Sequence, residues 1–240
     1  MEPKLTIAAL QQMKRDGRKI VGVVAWDYQI AQIADRAGVD LVSVGDSVGV
    51  NLWGRQEGEI SLDEMLIVCK AVRRGVKRAL LSCDLPEKEN PDAAVRLLRE
   101  CGADMVKLLA SPETVRAVVR SGVPVFAEFH GDNATPENLV KQAKHLEQAG
   151  ASLLDFRHSG PEAGAAVAKA VSIPVLGGLG GGPWLDGRIR MVHAAIGYAA
   201  SNLNSEIENY ANVAQVTLKA IAAYAEDVRA GRQLKGQRPA

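Results

Sequence analysis

Residues 35–46, DRAGVDLVSVGD, set the pattern of the whole chain. A helix-like pattern closes at Gly38, and a short apolar run rich in β-branched residues follows at once. A glycine just past a helix supplies the left-handed turn from which a strand can start directly. The same grammar recurs in RECGADMVKLLA (99–110) and EQAGASLLDFRH (147–158). Two looser relatives, RSGVPVFAEFH (120–130) and AVSIPVLGGLG (170–180), carry a proline at the start of the strand.

Near-continuous apolar strands suit a parallel sheet buried on both faces. RKIVGVVAW (18–26) and KRALLSCD (77–84) read as two more. The expected strands lie near 18–25, 40–45, 79–84, 104–109, 123–129, 151–157 and 173–178, with a weaker eighth near 189–193. Helical patterns fall between them at 28–37, 61–74, 91–101, 112–121, 136–149 and 161–171. Seven or eight βα units in 240 residues predict a (β/α)₈ TIM barrel. A doubly wound open sheet is the alternative. No linker-like stretch divides the chain, so residues 1–240 are expected to form one domain, with a helical tail over about 205–230.

Composition narrows the function classes. Apolar residues make up 47% of the chain, enough for a large core. The net charge of +1 and the lack of a dense basic run argue against nucleic acid or an anionic membrane as partner. No apolar run reaches membrane-spanning length, and the N-terminus lacks the apolar core of a signal peptide. The three cysteines, Cys69, Cys83 and Cys101, are not spaced as a metal knuckle and fit a reducing cytosol. A cytoplasmic protein is expected.

In a parallel barrel the chemistry sits where the strands end. Those ends read Trp26-Asp27, Gly45-Asp46-Ser47, Cys83-Asp84, Lys107, Glu128-Phe129-His130, Asp155 and the glycine run 177–182. Any one acid could be a helix cap or turn residue. Several converging on one rim repel each other, and a hard cation such as Mg²⁺ relieves that repulsion. Zinc is disfavoured without a Cys/His cluster. The run LGGLGGGPWLDG lacks a phosphate-loop spacing, so its glycines are expected to permit close backbone approach or a tight turn. His145 reads as a helix-surface residue and His193 as structural. His130 and His158, just past strand exits, are open to either role.

The stretch KIVGVVAWDYQIAQIADRAGVDLVSVGDSVGVNLWG (19–54), followed by AVRRGVKRALLSCDLP (71–86), resembles the ketopantoate hydroxymethyltransferase family. That family lies within the phosphoenolpyruvate mutase/isocitrate lyase superfamily of barrels. The resemblance continues in order through GADMVKL, GVPV, LEQAGASLL, IPVLGGLGGG, DGRIRMVHAAIGY and the closing YANVAQVTLKAIAAYAEDVRAG. It implies a Mg²⁺-dependent enzyme that removes a proton beside the carbonyl of a 2-oxo acid, 3-methyl-2-oxobutanoate. The resulting enolate attacks the one-carbon unit of methylenetetrahydrofolate. The resemblance makes Asp46 and Asp84 metal ligands, places Ser47 near the substrate carboxylate, and sets Lys107 against the substrate oxygens. It also implies a homo-oligomer.

The chain departs from the family pattern in four places. Leu109 stands where the family has a glutamate, Glu128 where it has a histidine, and Asp155 where it has its catalytic glutamate. The segments GDNATPEN (131–138) and EKEN (87–90) replace family motifs of the pocket roof. Asp155 is the expected base and Glu128 its rival. A folate-independent aldolase or lyase acting on another 2-oxo acid is the second reading, and a non-catalytic metabolite-binding protein the third.

Overall fold

Glycine ends the helices where the repeated grammar places it: Gly38 and Gly150 take φ of 83° and 105°, a conformation costly for other residues. A computed structural model of the chain describes residues 3–86, 91–132, 134–178 and 180–236. The EKEN stretch lies outside the described residues.

The strands are β1 (Ile20–Val24), β2 (Leu41–Val44), β3 (Leu80–Asp84), β4 (Met105–Leu109), β5 (Val125–His130), β6 (Leu153–Arg157), β7 (Val175–Gly177) and β8 (Gly187–Met191). They are parallel and close in sequence order into a barrel, so the open-sheet alternative is excluded. The expected helices are α2 (Tyr28–Arg36), α4 (Leu62–Gly75), α5 (Pro91–Cys101), α6 (Pro112–Arg120), α7 (Pro136–Gln148) and α8 (Pro161–Ala170). Local chemistry starts several of them. Ser61 and Glu64 form a capping box on α4, while Ser111 and Thr135 cap α6 and α7 ahead of a proline in the first turn. Two helices lie outside the patterns read above: α1 (Ile7–Arg15), capped by Thr6, and α3 (Val48–Trp53), which follows β2.

Strand alternation sorts the interior. Each strand contributes one apolar side chain to a common layer: Ile20, Leu41, Leu80, Met105, Phe126, Leu153, Leu176 and Ile189. Most sit at or next to the first residue of their strand, and Leu10 and Met13 of α1 pack into the same cluster. Each such side chain stabilises the barrel by about 1.5–3 kcal/mol. Two residues further along the strands the interior turns polar, with Ser43, Ser82, Lys107, Glu128 and Asp155. This floor of apolar residues holds the polar layer at the carboxyl ends of the strands.

Two compact units divide the chain, Met1–Arg190 and Met191–Ala240. The second contains α9 (Val192–Ala195), a 3₁₀ turn at Ala200–Asn204 and α10 (Val213–Arg229). Asn212 caps α10 by accepting from the Gln215 N–H, so the tail helix starts later than the pattern from 205 suggested. His193 is buried in this unit, edge-on to Tyr198 at 4.8 Å, which agrees with the structural role expected of it.

Candidate active site at the carboxyl ends of the strands

Lys107 on β4 gathers three carboxylates around one ammonium. Its Nζ lies 3.4 Å from Asp155 Oδ2 and 3.9 Å from Asp84 Oδ2, and it donates to Glu128 Oε2. Register explains the convergence. Asp84 pairs with Lys107 across β3 and β4, and Glu128 pairs with Asp155 across β5 and β6, so all four project inward near one level. Burial alone would push the Lys107 amine down, but the three carboxylates outweigh it and hold the ammonium firmly protonated.

The three acids then part company. Burial pushes Glu128 up, but the Lys107 ammonium and a 2.7 Å bond from Arg157 Nη1 overcome it and bring its carboxyl to about 2. Burial dominates at Asp155, which is 2% exposed, and raises its carboxyl despite Lys107 and a 2.9 Å bond from the Gly178 N–H. Burial also raises Asp84, to about 7, with Asp46 and Glu128 adding repulsion and Lys107 opposing them.

Asp46 and Asp84, at the ends of neighbouring strands, touch through the Asp46 backbone. The Asp46 N–H donates to Asp84 Oδ2 at 3.3 Å, and Asp46 itself is exposed. Asp84 Oδ1 is buried and accepts no hydrogen bond among the described residues, a costly state that a cation would relieve. No group of three or more His, Cys, Asp or Glu among the described residues is arranged to hold a metal. The donor set therefore fits Mg²⁺, which takes one or two carboxylates and completes its shell with water and substrate oxygens. It does not fit zinc. Ser47 precedes α3, half-buried, and its side chain makes no capping bond, which leaves the hydroxyl beside Asp46 for a ligand. Asp27, by contrast, caps α2 by accepting from the Ile30 N–H at 2.8 Å.

The glycine run makes the tight turn that was one of the two roles expected of it, and it also packs against the protein itself. Its closest packing is against a side chain of the protein itself: a Cβ at Gly164 or Gly182 would overlap the Trp184 ring, whose Nε1 donates to Ser159 Oγ at 2.9 Å. Gly177 and Gly181 also lie against each other in a tight turn. Leu109 is 55% exposed and is the register partner of Glu128, so the carboxylate absent from β4 reappears one strand over. His145 is on the surface of α7. His130 Nε2 lies 3.2 Å from Glu128 Oε1, and His158 Nδ1 lies 2.9 Å from Asp132 Oδ1. The sequence reading passed over Arg157 and Asp132. Alternation would have found Arg157, two residues beyond Asp155 on the same inward face.

The family model for ketopantoate hydroxymethyltransferase matches residues 4–131 and 128–233. The chain belongs to this family. It is 37% identical to a 3-methyl-2-oxobutanoate hydroxymethyltransferase of Cyanothece sp., over 94% of this chain and 96% of the relative. It is 32% identical to one of Geobacillus kaustophilus, over 90% and 87%. Among solved structures it resembles 2,3-dimethylmalate lyase, a PEP mutase/isocitrate lyase superfamily member, with a TM-score of 0.65 at 15% identity, covering 97% of this chain and 91% of that one. It also resembles phosphonopyruvate hydrolase in complex with oxalate and Mg²⁺, with a TM-score of 0.65 at 16% identity, covering 98% and 91%. These structural likenesses concern the fold. Among the described residues no helix is long and apolar enough to cross a membrane. In this ketopantoate hydroxymethyltransferase family member, Glu128 is held by Lys107 and Arg157, with His130 beside it and Leu109 as its register partner on β4.

Proposed function

We propose that this protein is a Mg²⁺-dependent hydroxymethyltransferase acting on 3-methyl-2-oxobutanoate with methylenetetrahydrofolate. The observation that carries this reading is the unequal pair around Lys107. Asp155 is buried and raised towards working pH, as a base for a proton beside a carbonyl should be. Glu128, held at about 2 by Lys107 and Arg157, is too weak a base and serves to fix Lys107 in place. Asp155 takes the C3 proton, and Lys107 offers its ammonium where negative charge develops on the substrate oxygen. Asp46 and Asp84 would hold Mg²⁺, which when bound polarises the substrate carbonyl as a Lewis acid. Ser47 donates to the substrate carboxylate. Family membership supports the substrate and the one-carbon donor.

A folate-independent aldolase or lyase of the same superfamily is the second reading, favoured by Leu109 and the polar rim of Arg157 and His130. Turnover of 3-methyl-2-oxobutanoate with Mg²⁺, with and without methylenetetrahydrofolate, decides between them. Strict folate dependence supports the transferase, and cleavage or addition without folate supports the lyase. We further assign the protein to the cytoplasm, on its buried free cysteines, and to a homo-oligomer, on the exposed apolar side chains of α10.

A further inference from the structure

His158 is the one residue other than glycine, among those described, with a positive φ, 53°. Backbone strain of this kind collects at functional sites, and here the surroundings enforce it. A Cβ at Gly131 would collide with the His158 carbonyl oxygen, and one at Gly180 would lie 3.0 Å from His158 Cα. The Gly131 N–H also donates to the Arg157 carbonyl at 2.9 Å. Two glycines from different loops thus hold one histidine in place.

Its side chain is oriented as well. Nδ1 lies 2.9 and 3.2 Å from the two Asp132 carboxylate oxygens, and Nε2 makes no hydrogen bond among the described residues. A carboxylate on Nδ1–H fixes the tautomer and leaves Nε2 as the working nitrogen. His130 stands edge-on at 6.2 Å, with its Nδ1 3.7 Å from Asp132. The position relates His158 to the chemistry: Asp155 accepts from the Gly178 N–H, while the His158 ring borders Gly180. Both side chains flank one glycine turn.

We propose that His158, oriented by Asp132, is a second acid–base residue that handles the proton of the hydroxyl on the carbon joined to C3. This rests on the function proposed above. Asp155 takes the C3 proton, and the C3 electron pair forms the new bond to the carbonyl carbon of formaldehyde, which hydrolysis of methylenetetrahydrofolate releases together with tetrahydrofolate. The C=O π pair moves to the oxygen, which takes a proton from His158 Nε2. Solvent then reprotonates His158 and receives the proton from Asp155, so no oxidant or reductant is needed. In the cleavage direction Nε2 removes the same proton.

The test uses Mg²⁺, 3-methyl-2-oxobutanoate and formaldehyde with tetrahydrofolate present, which together supply methylenetetrahydrofolate. Asparagine tolerates a positive φ, so His158→Asn keeps the turn and removes the proton donor. Bond formation should fall about 10²–10⁴-fold while exchange of the C3 proton into deuterated water persists. Added imidazole should restore part of the bond-forming rate in His158→Gly, and Asp132→Asn should show the same split between the two steps. Unchanged bond formation in His158→Asn, or equal loss of both steps, overturns the inference and leaves the proposed function standing. If the unaltered protein performs neither step, both fall.

Discussion

Glu128 and Asp155 face each other as register partners on β5 and β6 and share one ammonium, Lys107, yet their carboxyls shift in opposite directions. The difference is a direct ion pair: Arg157 Nη1 lies 2.7 Å from Glu128 Oε1, whereas Asp155 is the more deeply buried of the two. Desolvation therefore wins at Asp155 and loses at Glu128.

This asymmetry assigns the base. Asp155→Asn should abolish exchange of the C3 proton into deuterated water, a loss of at least about 10²-fold, while the 2-oxo acid still binds. Glu128→Gln should retain exchange and weaken binding instead. Because Asp155 must be ionised and burial raises its carboxyl, exchange should increase with pH above the ordinary carboxylate range and then level off. Exchange that survives in Asp155→Asn and vanishes in Glu128→Gln would reverse the roles.

Asp84 links metal to stability. A carboxyl raised to about 7 keeps its proton longer in the folded chain than in the unfolded one. Its contribution to stability is thus lost as pH rises from about 4, the unfolded value, towards 7. Asp84→Asn should weaken Mg²⁺ binding in calorimetry at pH 8. Without metal, its thermal midpoint relative to the parent should improve between pH 5 and pH 8. Unchanged Mg²⁺ affinity would remove Asp84 from the metal site.

Gly164 tests the seat of Trp184. A methyl group there overlaps the indole, so Gly164→Ala should destabilise the protein by about 1–3 kcal/mol despite the better helix propensity of alanine. In a domain of this size that is a drop of about 2–4 °C in Tm per kcal/mol, readable by calorimetry. A rise in Tm would show that the indole can move aside.

The last prediction concerns α10, which exposes Val216, Leu218, Ile221 and Tyr224. That is more apolar surface than a solvated helix needs. Sedimentation equilibrium should give a mass above the monomer, and Ile221→Asp should shift it downward. A monomeric parent protein would refute the assignment.

The sequence alone settled what depends on short-range pattern. Glycine after a helix, followed by an apolar run, marked β2, β4 and β6, proline at the start of the run marked β5 and β7, and the apolar runs themselves marked β1 and β3. Together they placed Asp46, Asp84, Lys107, Glu128 and Asp155 at the strand ends, because side-chain period and turn chemistry are local. The signal was weaker at β8, and α1 and α3 fell outside the patterns read although Gly17 and Gly54 close them at φ of 68° and 66°. What remained open depended on distances between residues far apart in the chain. Arg157 lies 29 residues from Glu128, and Asp132 lies 26 from His158. Only the closed barrel brings each pair together, so only the tertiary structure decides which carboxyl is raised and which is lowered, and which histidine has an orienting partner. Trp184 shows the same limit: nothing in LGGLGGGPWLDG says that its indole would also pack against Gly164, because that contact is made by a glycine of α8, outside the stretch.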